Sequence, residues 1–309
     1  MRIVQTQSMY TYEKLCINLQ ALALAYPKWI AYDSLGKTIY NREIWCLRLG
    51  KGAVPLFLNG AHHGREWLTS LLLMKMVEEY SRLVMKQEVY EQLDLRQLLE
   101  EVTLWIVPMV NPDGVTLQQF GVQAFPIRVH QQLLEFNLGS RDFTRWKANG
   151  EGIDLNRQYP ARWAEIQDDM GRPCYKQYKG RKPLEANEAK WLVELTYAIE
   201  PRLALAYHSA GKVLYWYFHN SPQTLARDCR LANQFAMRSG YRLVQPELSP
   251  NGGGYTDWFI ETFQRPGFTP ELGYYPGERH LPLHCFQEEL HIHLPLVLWL
   301  AREAPHIST

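Results

Sequence analysis

His63 and Glu66, with Gly64 and Arg65 between them, are the residues of this 309-residue chain best placed to do chemistry. An imidazole nitrogen and a carboxylate oxygen three positions apart can converge on one Zn²⁺, leaving room for a third ligand and a water. Such a pair needs elements that deliver it. Pro55-Leu56-Phe57-Leu58-Asn59 reads as an apolar strand, and Gly60-Ala61-His62 turns the chain out of the sheet. Trp67 to Leu83 has helical spacing, so Glu66 falls in a first helical turn. A His and a Glu at a loop–helix junction are also common surface residues. The third ligand decides between these readings.

Ten histidines are present. His208 ends the apolar run Leu203-Ala204-Leu205-Ala206-Tyr207 and is followed by Ser209-Ala210-Gly211. Functional groups of open α/β sheets gather where strands end and loops begin. His280, His284, His291 and His293 lie in a polar C-terminal stretch and are expected at the surface. His62 rivals His63, but His62 to Glu66 spans a full turn and suits a ligand pair less well. With His63, Glu66 and His208 as ligands, zinc keeps an open position, as a catalytic site requires. A water there can lose a proton near neutral pH, and a carbonyl oxygen can be polarised. Glu271 is the candidate general base, because a carboxyl within Phe268-Thr269-Pro270-Glu271-Leu272 is costly without a role or a partner. The bland alternative is a salt bridge to a core arginine.

The elements around these residues alternate. Tyr12 to Ala25 has helical spacing. Strands are expected at Trp29–Tyr32 and Ile39–Leu49, separated by a turn at Asp33-Ser34-Leu35-Gly36. Val102–Val107, Leu203–Tyr207 and Gly267–Leu272 are apolar runs typical of strands covered on both faces, and Leu214–Tyr217 is a further strand. Helices are expected over Glu185–Ile199, Leu225–Arg238 and Phe286–Ala301. The pattern predicts one α/β domain over residues 1–309, built on a mixed, mostly parallel twisted sheet with helices on both faces. The 33 basic and 32 acidic residues nearly cancel, which argues against nucleic acid or an anionic membrane as partner. Five scattered cysteines, Cys16, Cys46, Cys174, Cys229 and Cys285, suit neither a disulfide framework nor a cysteine metal site. The start Met1 to Gln7 lacks the apolar core of a signal peptide. No stretch approaches the roughly 20 apolar residues of a membrane span. A cytoplasmic protein, made in active form, is the expectation.

Six motifs, in order from about Thr11 to the C-terminus, resemble those of the zinc metallocarboxypeptidases with the carboxypeptidase A-like fold. They are His63-Gly64-Arg65-Glu66-Trp67, Asn111-Pro112-Asp113-Gly114, Gly152-Ile153-Asp154-Leu155-Asn156-Arg157, His208-Ser209-Ala210-Gly211, Gly254-Tyr255-Thr256-Asp257-Trp258 and Thr269-Pro270-Glu271-Leu272-Gly273. The resemblance implies one Zn²⁺ per chain on His63, Glu66 and His208. Glu271 would take a proton from the attacking water and return it to the leaving amine. Asn156 and Arg157 would grip the substrate's terminal carboxylate, with Arg65 as an accessory carboxylate-binding arginine. Tyr255 would close over the substrate, freed by Gly252-Gly253-Gly254.

One position departs from the pattern. Where the family has an oxyanion-stabilising arginine, Thr144-Arg145-Trp146-Lys147-Ala148-Asn149 places Lys147, which supplies charge without a fork of donors. Either Lys147 or Arg145 could serve. The segment from Trp146 to Ala161 is most similar to the bacterial γ-D-glutamyl-L-diamino-acid peptidases, which cleave the γ-D-glutamyl–meso-diaminopimelate bond of cell-wall stem peptides. The expected partner is therefore a muropeptide or stem peptide. Arg157 leans toward true carboxypeptidases, so a general enzyme removing C-terminal residues from L-peptides is the alternative. An amidase or deacylase on the same scaffold, or a non-catalytic zinc-binding module, stands further off.

Overall fold

The computed structural model describes residues 2–90, 93–246 and 251–307. The N-terminal part contains α1 (Tyr12–Ala25), β1 (Ile30–Lys37), β2 (Glu43–Gly50), β3 (Val54–Gly60) and α2 (Leu68–Lys86). A small hairpin, β4 (Val89–Tyr90) and β5 (Leu93–Asp94), leads to α3 (Leu95–Glu101) and β6 (Val102–Val107). Then come α4 (Pro112–Phe120), α5 (His130–Phe136), α6 (Asn187–Ile199), β7 (Leu203–Ser209) and β8 (Val213–Tyr215). The chain continues through α7 (Pro222–Ser239), β9 (Arg242–Leu243), α8 (Tyr255–Phe263), β10 (Gly267–Leu272) and α9 (Phe286–Glu303).

Eight strands form one sheet in the order β1-β2-β6-β3-β7-β10-β8-β9. The four central strands β6, β3, β7 and β10 run parallel, and antiparallel pairings lie toward both sides. These central strands are the apolar runs of the sequence, because their alternate residues feed two cores. Leu56, Leu58, Leu203, Leu205 and Phe268 pack with α1, α2, α7 and α9. Phe57, Ala204 and Ala206 pack on the other face with Leu192 of α6 and Phe259 of α8. Both faces are thus covered, as a parallel sheet requires. None of the helices among the described residues is long and apolar enough to cross a membrane.

The first hairpin differs from expectation. β1 runs through Asp33-Ser34-Leu35-Gly36 with an irregular register, and the chain reverses instead between Thr38 and Arg42. Gly36 is needed for close packing: a Cβ there would lie 2.4 Å from the Trp191 ring of α6. A second difference is that Asn111-Pro112-Asp113-Gly114 opens a helix. Asn111 caps α4 by accepting from the Gly114 N–H, and Pro112 sits in the first turn, where its missing N–H costs nothing.

Candidate active site

β3, β7 and β10 are neighbours, and all three end at the same edge of the sheet. The exit from β3 is pinned locally. Thr69 Oγ1 accepts from the Ala61 N–H and donates to the Glu66 carbonyl, both at 2.8 Å. Gly64–Glu66 form one 3₁₀ turn before α2. A second segment is laid against this turn, with the Gly64 and Arg65 N–H groups donating to the carbonyls of Lys147 and Trp146 at 3.0 and 2.9 Å. Asn111 Nδ2 donates to the carbonyls of His62 (2.9 Å), Ala148 (3.1 Å) and Lys147 (3.3 Å). Gly64 allows the approach: a Cβ there would stand 2.3 Å from the Gly114 carbonyl oxygen.

His63, Glu66 and His208 come together as a buried trio. His63 Nδ1 lies 2.9 Å from Glu66 Oε1, and His208 Nδ1 lies 2.9 Å from Glu66 Oε2. The two Nδ1 atoms are 3.2 Å apart. Two imidazole nitrogens facing each other across a carboxylate at this distance are a donor set for one cation, and N, N, O suits zinc. His63 is oriented from behind, its Nε2 3.1 Å from Asp154 Oδ1, the outer-shell partner a ligating histidine requires. Burial alone would raise Glu66, yet the adjacent imidazoles hold its carboxyl well below its usual value. Asp154 is likewise held down against its burial by His63, with Lys147 and Arg157 adding to the effect. The residues present therefore fit the metal, and both carboxylates are ionised to receive it.

Glu271 of β10 is in register with His208 of β7, so the two side chains leave the sheet side by side. Among the described residues it has no ion pair, which removes the core-arginine alternative. Burial first, and the Glu66 charge second, push its carboxyl up to about 7. It lines a cavity of about 380 Å³ together with His63, His208, Lys147, Asn156 and Arg157. Lys147, not Arg145, faces this space. Arg145 stacks its guanidinium over Tyr175 at 4.0 Å and donates to the Asn137 carbonyl. Asn156 Oδ1 accepts from the Tyr255 N–H at 3.1 Å, so the group it offers the cavity is its NH₂. Arg157 is tethered to Asp168 at 3.0 Å and Asp154 at 3.8 Å. Arg65 is 9% exposed and stands outside the lining residues, its guanidinium 3.5 Å from the Arg145 carbonyl.

Tyr255 is a correction. It opens α8 with 0% exposure, packs against Phe57, Tyr159 and Trp258, and its hydroxyl meets Thr196 Oγ1 at 3.0 Å. A phenol so enclosed cannot close over a substrate. The tyrosines that line the cavity are Tyr215 and Tyr217, reached from β8. His293 is another correction, since it is buried in the core with 0% exposure. His280 is half-buried against Trp67. His62, the rival ligand, turns its Nε2 to the Tyr159 hydroxyl at 2.8 Å, away from the trio. The signal for Asp154 was present two residues before Asn156, but nothing in the spacing ties it to His63. The same holds for Thr256, Asp257 and Thr269 on the cavity wall.

Comparison with known proteins places this geometry. The γ-D-glutamyl-L-diamino acid endopeptidase 1 of Lysinibacillus sphaericus is 34% identical over 298 residues, covering 95% of this chain and 73% of that protein. Metallocarboxypeptidase A of Trichophyton rubrum is 27% identical over 243 residues, covering 74% and 53% respectively. The crystal structure of thrombin-activatable fibrinolysis inhibitor superposes with a TM-score of 0.76 at 15% identity, over 98% of this chain and 77% of that one, and shows the shared fold. The model for zinc carboxypeptidases matches residues 16–275, a span that holds every residue of the cavity just described, and this chain belongs to that family.

Proposed function

We propose that this peptide hydrolase cleaves the γ-D-glutamyl–meso-diaminopimelate bond of cell-wall stem peptides, with Glu271 as general base and His63, Glu66 and His208 holding zinc. The observation that carries the reading is the shared cavity: His63 and His208 of the trio, the Glu271 carboxyl in register with His208, Lys147, and the pair Asn156 and Arg157 line one space. The name of the Lysinibacillus relative, similar over nearly the whole chain, supports the bond proposed.

Zinc held by His63, Glu66 and His208 would supply a Lewis acid that polarises the substrate carbonyl. Everything else falls to the protein. Asn156 and Arg157 hold the carboxylate of the leaving residue, fixing where the peptide bond lies. Glu271 takes a proton from the attacking water and passes it to the departing amine. Lys147 presents one ammonium to the oxyanion that develops. The cavity wall beyond is polar, with Thr256, Asp257, Thr269 and Asn251, and suits a side chain bearing its own charges. A cytoplasmic site of action on muropeptides is part of the same proposal, and cell fractionation tests it.

General carboxypeptidase action on L-peptides is the second reading, favoured by Arg157 beside Asn156 in the cavity and by the fungal relative. Mass spectrometry on zinc-loaded protein separates the two. L-Ala-γ-D-Glu-meso-diaminopimelate is offered beside a pool of L-peptides, with Glu271→Gln as control. Free diaminopimelate released by the wild type alone supports the proposal. Trimming of L-peptides alone replaces it with the second reading, and cleavage of neither removes both.

A further inference from the structure

Behind the cavity, helix α9 sends a buried carboxylate to the backbone of the turn that follows Glu271. Glu289 has 0% exposure, and its Oε1 accepts from the Gly273 N–H at 3.1 Å. Its Oε2 accepts from the Tyr241 hydroxyl. His293, one turn further along α9, places Nε2 3.1 Å from the Tyr241 hydroxyl and Nδ1 3.3 Å from the hydroxyl of Tyr207, the neighbour of His208. The protonation pattern is self-consistent. Burial pushes His293 down toward its neutral form, while His293 and Tyr241 hold Glu289 below its usual value against the effect of burial. A neutral imidazole can then donate from Nε2 to Tyr241 and accept from Tyr207 at Nδ1.

Gly273 is the junction of the arrangement. Its carbonyl accepts from both Gly211 and Lys212 N–H groups at 2.8 Å, joining the end of β10 to the loop that leaves His208. Its φ is +61°, and a Cβ would lie 2.6 Å from the Leu281 side chain. Gly273 itself can therefore carry no side chain to anchor it. Its N–H is held instead from α9, and an ionised carboxylate in the interior is a costly choice for packing alone. We propose that Glu289 is a positioning residue: by holding the Gly273 N–H it fixes Glu271 on β10 relative to His208 on β7, with Tyr241 and His293 keeping its carboxylate aimed. The inference rests on Glu271 serving as the general base.

The test compares kcat, KM and zinc content for Glu289→Leu, Glu289→Gln and Tyr241→Phe, with Glu271→Gln alongside. Glu289→Leu is expected to lower kcat about 10–100-fold, the scale of a slightly misplaced catalytic group, with KM and zinc content within about twofold of wild type. Glu289→Gln can still accept from Gly273 and is expected to recover most of the loss, and Tyr241→Phe should cost less than Glu289→Leu. If Glu289→Leu does not fold, Glu289→Asp replaces it: a side chain one methylene shorter loses reach to Gly273 and should show the same fall in kcat. Wild-type kcat in Glu289→Leu or Glu289→Asp, while Glu271→Gln is inactive, overturns the positioning role alone. Glu289→Gln as impaired as Glu289→Leu also overturns it, because charge and not the Gly273 bond would then matter. An active Glu271→Gln removes the base reading and this inference with it.

Discussion

Two buried polar clusters lie on opposite sides of the β7–β10 strand pair, and each is built around a glutamate beside a histidine. One has Glu66, His63, His208 and Asp154; the other has Glu289, His293, Tyr241 and Tyr207. The difference lies in whether the hydrogen bonds close. Around Glu289, each carboxylate oxygen and each ring nitrogen of His293 meets a donor or acceptor of the protein. In the first cluster two ring nitrogens face each other at 3.2 Å with a carboxylate between them, and His208 Nε2 is buried without a partner among the described residues. A network that satisfies itself builds structure, while one with convergent, unspent lone pairs is waiting for a cation. Composition alone would not separate them.

The sharpest way to break this contrast is at the cavity. Glu271→Gln should lower kcat by about 10³–10⁴, at or near the upper range for removal of a general base, while zinc content and thermal midpoint stay close to wild type. Turnover within tenfold of wild type would take Glu271 out of the chemistry. One step further from the reacting atoms, Asp154→Asn should weaken zinc binding by about 10–100-fold, read by competition with a chelator. His63 would lose its ionised partner while all three ligands remain, so an unchanged affinity would show that Asp154 serves the fold and not the metal.

Glu188 of α6 sharpens the comparison from the structural side. It is buried, its oxygens accept from Asn149 Nδ2 at 3.2 and 3.3 Å, and burial pushes its carboxyl up to about 8. The folded state therefore keeps a proton that the unfolded chain releases near pH 4.5. Stability from this group is complete below that pH and is lost as pH rises toward 8. Glu188→Gln should remove the decline, so its melting temperature should gain on wild type between pH 5 and 8, by about 1.5 °C for each 1 kcal/mol in a chain of this length. A difference that is flat with pH would show that Glu188 is ionised in the fold. The smallest effect belongs to Tyr255→Phe, which deletes the bond to Thr196 and should cost about 1 kcal/mol of stability in denaturant titration, with KM unchanged. A raised KM would restore Tyr255 to the substrate.

The sheet was legible because its central strands are doubly buried and read as continuous apolar runs; Val102–Val107 and Gly267–Leu272 have the bounds their hydrophobicity implies. The trio was legible because metal ligation restricts residue type and spacing at two of its three positions, and His208 sits at the end of an apolar run. Asp154 was hidden because an outer-shell contact leaves no periodicity: it meets His63 across 91 positions of chain. Tyr255 was misplaced because a tyrosine beside glycines reads as mobile, whereas its hydroxyl has a buried partner on α6 that only the fold supplies. His293 was misplaced for a related reason. It reads with His280, His284 and His291 as one polar stretch although Ile292 and Leu294 flank it, and the side chains it meets, Tyr207 and Tyr241, come from distant elements.

Asn111 carries a consequence for how such a chain can change over time. Its amide donates to the carbonyls of Lys147 and Ala148, so the polypeptide from residue 112 to 146 leaves and returns at a single knot. The excursion holds α4, α5 and the exposed Ile127, yet its length need not register at Lys147. Closing a longer loop costs only slowly rising entropy, roughly 0.6 kcal/mol for each doubling. Insertions near residues 126–142 should therefore be freely explored, letting that surface diversify while the chemistry of the cavity keeps still.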